Sequence, residues 1–91
     1  MDYEELLNTA TDIGFLLLEN GAEIYRVEES VQRILTAYGV PQADVFAIPT
    51  CLITTLYVDG KAHTRLRRVN SRTTDLDRVQ QYNDLCRTVC R

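Results

Sequence analysis

The sequence contains no tryptophan, only four glycines and two prolines, and a single histidine, His63. So little Gly and Pro excludes a collagen-like chain and a flexible linker. The three cysteines, Cys51, Cys86 and Cys90, cannot pair off completely and do not lay out the framework of a small secreted domain, so a reducing compartment is expected. Nor do they form a convincing zinc set with His63. There is no Cys-x2-Cys knuckle, and Cys86 and Cys90 sit one turn apart on an apolar stripe, so neither a metal nor another cofactor is expected. The longest apolar run, Ile13 to Leu18, is far short of the roughly 18–20 residues that cross a bilayer. The N-terminus lacks the basic region and cleavage site of a signal peptide. A soluble chain of cytosolic style is the expectation.

What is present fits one domain. The mass is 10.4 kDa, with 45% hydrophobic and 25% charged residues, a globular balance. The net charge of −3 conceals an asymmetry: residues 1–45 hold nine acids and two bases, residues 46–91 four acids and eight bases. Five bases, Lys61, Arg65, Arg67, Arg68 and Arg72, occur with no acid between them. Such a two-sign chain can fold onto itself or offer a basic face to an anionic partner. No signature of a nucleic-acid-binding fold is found, and the overall charge is acidic, so no nucleic-acid partner is expected.

Periodicity predicts the elements. Asp2 with Glu5 is an N-cap signal, and Leu6, Ala10, Ile13 and Leu17 follow at helical spacing until Asn20-Gly21 stops the helix. A second helix starts near Ala22, with Ile24, Val27, Val31, Ile34 and Tyr38 as its apolar stripe, and ends at Gly39 and Pro41. Glu29 and Arg33 form a favourable i,i+4 pair on its far face. Two strands are expected at Asp44–Ile48 and Cys51–Val58, separated by Pro49-Thr50. Asp59-Gly60 then makes a hairpin in which Val58 pairs with Lys61, Leu56 with His63 and Thr54 with Arg65. One hairpin face carries Ile53, Tyr57, Ala62 and Leu66 and is read as packed on the helices. The other, with Thr54, His63, Arg65 and Arg67 among Leu52 and Leu56, is read as accessible. Thr74 with Asp77 opens a third helix whose stripe is Leu76, Val79, Asn83, Cys86 and Cys90. The fold class is therefore α+β: two antiparallel helices, a small antiparallel sheet of about three strands, and a C-terminal helix.

Few residues invite chemistry. Cys51 and His63 fall on opposite hairpin faces, which argues against a nucleophile pair. Glu23 and Glu28 flank the second helix's stripe on opposite sides. They are read as structural anchors, each held by a backbone N–H or by an arginine among Arg26, Arg65, Arg67 and Arg68. The alternatives are a hydrolase-like site with Glu23 or Glu28 as base, and a purely structural assembly module. The basic hairpin face is read as a docking surface for an acidic partner or an anionic lipid face.

The ordered motifs resemble one family. Gly21-Ala22-Glu23, Tyr25-Arg26-Val27-Glu28 and Arg33 are similar to the G-A-E-x-x-R-V-E signature of threonine/serine exporters. Pro49-Thr50, Thr64-Arg65-Leu66-Arg67-Arg68-Val69, Thr74-Asp75-Leu76, and Val79 through Asn83 to Leu85 continue the resemblance. One departure is Cys51, which stands where the family has Gly. The resemblance implies a membrane transporter that exports threonine, serine or related small carboxylates on the proton gradient. Residues 1–91 would be its N-terminal hydrophilic domain, cut before the first membrane span, on the cytoplasmic side. Arg87 and Arg91 near that junction agree with the positive-inside rule. The residues implied for the ligand-binding or motif role are Glu23, Arg26, Glu28, Thr50, Arg65, Arg67 and Arg68, with no catalytic residue. The implied partners are the membrane domain of the same or a partner subunit, with a homo-oligomer also open.

Overall fold

Asp2 opens the first helix as its sequence signal predicts, its Oδ1 accepting the Glu5 N–H at 3.1 Å. The computed structural model describes residues 2–70, 85–87 and 89, with helix α1 at Tyr3–Glu19. At its end, Ala22 N–H donates to Leu17 C=O at 3.0 Å, and Gly21 takes a φ of 89°. That left-handed conformation suits glycine and reverses the chain. Helix α2 spans Ile24–Ala37, two residues later than expected. Glu23 stays extended as its N-cap residue while its carbonyl already accepts from Arg26 and Val27. Val27, Val31, Ile34 and Leu35 are buried as the stripe requires. Tyr38 departs from that stripe: it caps α2, beyond the last helical turn, and is 44% exposed.

Three strands follow, β1 at Gln42–Ile48, β2 at Cys51–Val58 and β3 at Lys61–Arg68, antiparallel in the order β1-β2-β3. β1 begins two residues before the expected start. Pro49 and Thr50 form the first two-residue turn, Asp59 and Gly60 the second. The latter two have φ of 53° and 76°, the left-handed pair whose twist matches the flanking strands. The expected pairs Val58 with Lys61, Leu56 with His63, and Thr54 with Arg65 are all present.

The facing of this hairpin is the reverse of the expectation. Leu52, Thr54 and Leu56 are fully buried under the helices, and His63, Arg65 and Arg67 share that side because they pair with them. Ile53, Tyr57, Ala62 and Leu66 lie on the open side, where Leu66 is 55% exposed. The reason is positional. Apolar residues of the central strand reach the helices directly, whereas the bases sit on an edge strand, where their long stems lie under α1 and their heads find polar partners.

One core joins all these elements: Leu7, Leu17 and Leu18 of α1, the α2 stripe, and Leu52 and Leu56 of β2. Gly14 marks the closest approach. A Cβ there would stand 2.5 Å from Val31 Cγ2 and 2.8 Å from Leu52 Cδ2. Residues 85–87 and 89 are helical, with Cys86 buried in the same core, which completes the α+β layout. Arg72, the Thr74–Asp77 cap, the third-helix positions Leu76, Val79 and Asn83, and Cys90 lie outside the described residues.

Candidate functional site

Three polar rungs tie α1 to β3. His63 Nδ1 and Glu4 Oε1 are 3.1 Å apart. Arg65 donates to Asn8 Oδ1 at 2.9 Å, and Arg67 donates to Asp12 Oδ1. The Arg67 guanidinium also lies 4.0 Å from the centre of the Phe15 ring, a cation–π stack. Side chains four apart on a helix share a face, as do side chains two apart on a strand, so the ladder follows from the two periodicities. α1 therefore runs parallel to β3. The bases read from sequence as a docking surface are engaged inside the domain at Arg65 and Arg67.

Glu28 is anchored without an arginine. Its Oε2 accepts the Ala47 N–H at 2.9 Å, so the anchor is the backbone alternative. One turn later, Gln32 donates to the Ala43 C=O at 3.1 Å. Ala43 and Ala47 have the same parity in β1, and in an antiparallel pair such residues turn both backbone groups to one side. Glu28 and Gln32 thus bind the outer edge of β1, and α2 runs antiparallel to that strand. Sequence reading missed Gln32, and also Glu4, Asn8, Asp12 and Phe15 as the partners of β3. The available signal was the four-residue spacing of Glu4, Asn8 and Asp12 set against the two-residue spacing of His63, Arg65 and Arg67.

The remaining motif residues gather at one pole. Because α1 runs with β3 and α2 runs against β1, the α1–α2 corner lies at the same end of the sheet as Pro49-Thr50 and Arg68. Thr50 C=O accepts the Val69 N–H at 2.8 Å, which fastens the turn to the segment after β3. Glu23, Arg26, Thr50 and Arg68 are all exposed there. Glu23 makes no side-chain cap bond. Arg26 donates to the Tyr25 hydroxyl at 3.4 Å, and this bond, then the tyrosine's charge, raises the arginine's pKa further. Its far-face neighbours Arg33 and Glu29 form the expected pair at 2.8 Å.

On the open sheet face, Phe46, Ile53 and Leu66 form a cross-strand apolar row. Towards the opposite pole, Tyr57 donates to Asp44 Oδ2 at 3.1 Å. That bond, then the carboxylate's charge, raises the phenol above its ordinary value of 10.0. Cys51 belongs to this open side, away from His63, as the pairing predicts. Among the described residues, no group of three or more His, Cys, Asp or Glu could hold a metal ion. No helix among them is long and apolar enough to cross a membrane.

The family model described as "Putative threonine/serine exporter" matches residues 8–91. Among curated proteins and among solved structures, nothing matches the chain.

Proposed function

Because the chain belongs to the threonine/serine exporter family, we propose that it is the hydrophilic, cytoplasmic domain of a secondary transporter that exports threonine, serine or related small amino acids or carboxylates. In this reading the transport path lies in membrane helices outside residues 1–91. The domain docks on those helices, of its own or a partner subunit, through the pole that carries Glu23, Arg26, Thr50 and Arg68.

One observation carries the docking role. Glu28, Arg65 and Arg67 hold helices to the sheet, whereas Glu23, Arg26, Thr50 and Arg68 are exposed together at one end. Exposed polar side chains without a role in the core are free to recognise another surface. The hydrolase alternative draws no support from Glu28, whose carboxylate is engaged by a backbone N–H.

The test is threonine efflux by the whole exporter carrying Arg26→Glu with Arg68→Glu. Charge reversal at a docking pole should lower efflux about tenfold, the equivalent of roughly 1.4 kcal/mol in coupling. Membrane insertion and the folded domain should be retained. Unchanged efflux would remove this pole from the transport cycle.

A further inference from the structure

The two edges of the sheet are not alike. On β1, the Glu28 carboxylate occupies the place of a neighbouring strand's carbonyl, and the Gln32 amide the place of its N–H. The helix side chains thereby occupy two positions of that edge. The same contacts fix the parity of the whole sheet. Since Ala43 and Ala47 point outward, residues 42, 44, 46 and 48 bond to β2. Following the register across, 61, 63, 65 and 67 of β3 bond to β2, and Ala62, Thr64, Leu66 and Arg68 turn their N–H and C=O groups to the outside. Those four residues are exposed, and their outward backbone groups meet no partner among the described residues. An edge of this length is a template for strand addition.

The side chains say which strand fits. Every residue of β3 that faces the helix layer is basic: Lys61, His63, Arg65 and Arg67. Any added strand whose faces match the pleat sets its own helix-side residues against these bases. A second copy of β3 would oppose base to base in every such register. Glu4 and Asp12 on α1 already meet His63 and Arg67, but Arg65 meets the neutral Asn8 and pairs with no carboxylate among the described residues. On the open side, the edge adjoins the apolar Phe46–Ile53–Leu66 row.

We propose that the β3 edge binds an extended partner segment in which acidic residues alternate with apolar ones, added as a fourth strand with its acids towards Arg65 and its apolar residues beside Leu66. This rests on the sheet edge and its charges rather than on the docking pole, with which the edge shares Arg68 alone.

The probe is a blocked seven-residue peptide alternating glutamate and valine, titrated into the 91-residue chain and followed by amide chemical shifts. Shifts centred on Ala62, Thr64, Leu66 and Arg68 are expected. Binding should weaken about tenfold or more when lysine replaces glutamate, and should weaken as salt rises. A peptide N-methylated on the amides that face β3 should lose binding, because strand addition depends on main-chain bonds. Leu66→Pro, which removes one outward N–H and no bond to β2, should do the same. If that variant fails to fold, the N-methylated peptide still decides. Equal binding by the methylated peptide, shifts confined to β1 or the helices, or dimerisation of the chain that Leu66→Pro abolishes would each overturn the proposal.

Discussion

Thr54 is the one buried side-chain polar atom without a hydrogen-bond partner among the described residues. It sits on the central strand, fully buried, between Leu52 and Leu56 on the face under the helices. A buried hydroxyl left unpaired carries a desolvation cost that an isosteric methyl avoids. Thr54→Val keeps the β-branched shape that a strand favours. It should raise unfolding stability by about 0.5–1.5 kcal/mol in urea titration, and a loss of stability would mean that the hydroxyl has a partner after all. Thr11, buried on α1, is different, because its Oγ1 donates to Leu7 C=O at 2.7 Å. Gly14 is the other residue whose role lies wholly in packing. Nothing in a lone helical glycine signals that two side chains from other elements press on it, so its contact with Val31 and Leu52 emerges only in three dimensions.

At the scale of elements, most of the fold was legible. The starts of α1 and α2, the Gly21 and Gly39 stops and the Asp59-Gly60 turn depend on local chemistry, and their positions held to within two residues. The facing of the hairpin was not legible, because alternation identifies two faces without saying which meets the helices. Charged residues on one face suggested solvent, but α1 supplies polar partners at matching intervals. The candidate site divided in the same way. Glu28 was recognised as an anchor from its place beside the α2 stripe, but its partner was a backbone group 19 residues away, which no side-chain pattern announces. Removing that acceptor in Glu28→Ala should destabilise the domain by about 1–3 kcal/mol and leave the Ala47 N–H unprotected. Glu28→Gln, which keeps an acceptor oxygen, should recover most of the loss. Urea unfolding with amide exchange at Ala47 separates the two variants, and equal stability of Glu28→Ala and the unaltered chain would refute the clasp.

For the whole molecule, charge asymmetry became an internal attraction. The acidic N-terminal half supplies α1 and α2 and the basic half supplies β3, so two of the three rungs set a carboxylate against a basic side chain. Asp12 and Arg67 are only half-buried, at 48% and 31% side-chain exposure, and Glu4 is more open still, so solvent ions can screen the rungs. Melting temperature should therefore fall by about 2–4 °C between low salt and half-molar sodium chloride. A flat or rising dependence would show that the rungs contribute nothing net beyond the apolar core. The sequence revealed the asymmetry but not its direction of use: an outward-facing basic surface and an inward-facing one have identical composition.

The ladder between α1 and β3 also restricts how this domain can change in length. Four residues of helix advance about 6.0 Å and two residues of strand about 6.4–6.8 Å, so the two combs have nearly equal pitch and slip by roughly half an ångström per tooth. Long arginine side chains can absorb that slip over three teeth. A single residue inserted into β3 beside Arg65 would instead turn the bases beyond it to the open face. One inserted into α1 beside Asn8 would swing Asp12 about 100° away from Arg67. Insertions and deletions are thus confined to the turns and to the ends of α1 and β3, leaving the stretch between Glu4 and Asp12 fixed in length even where its residue types could vary.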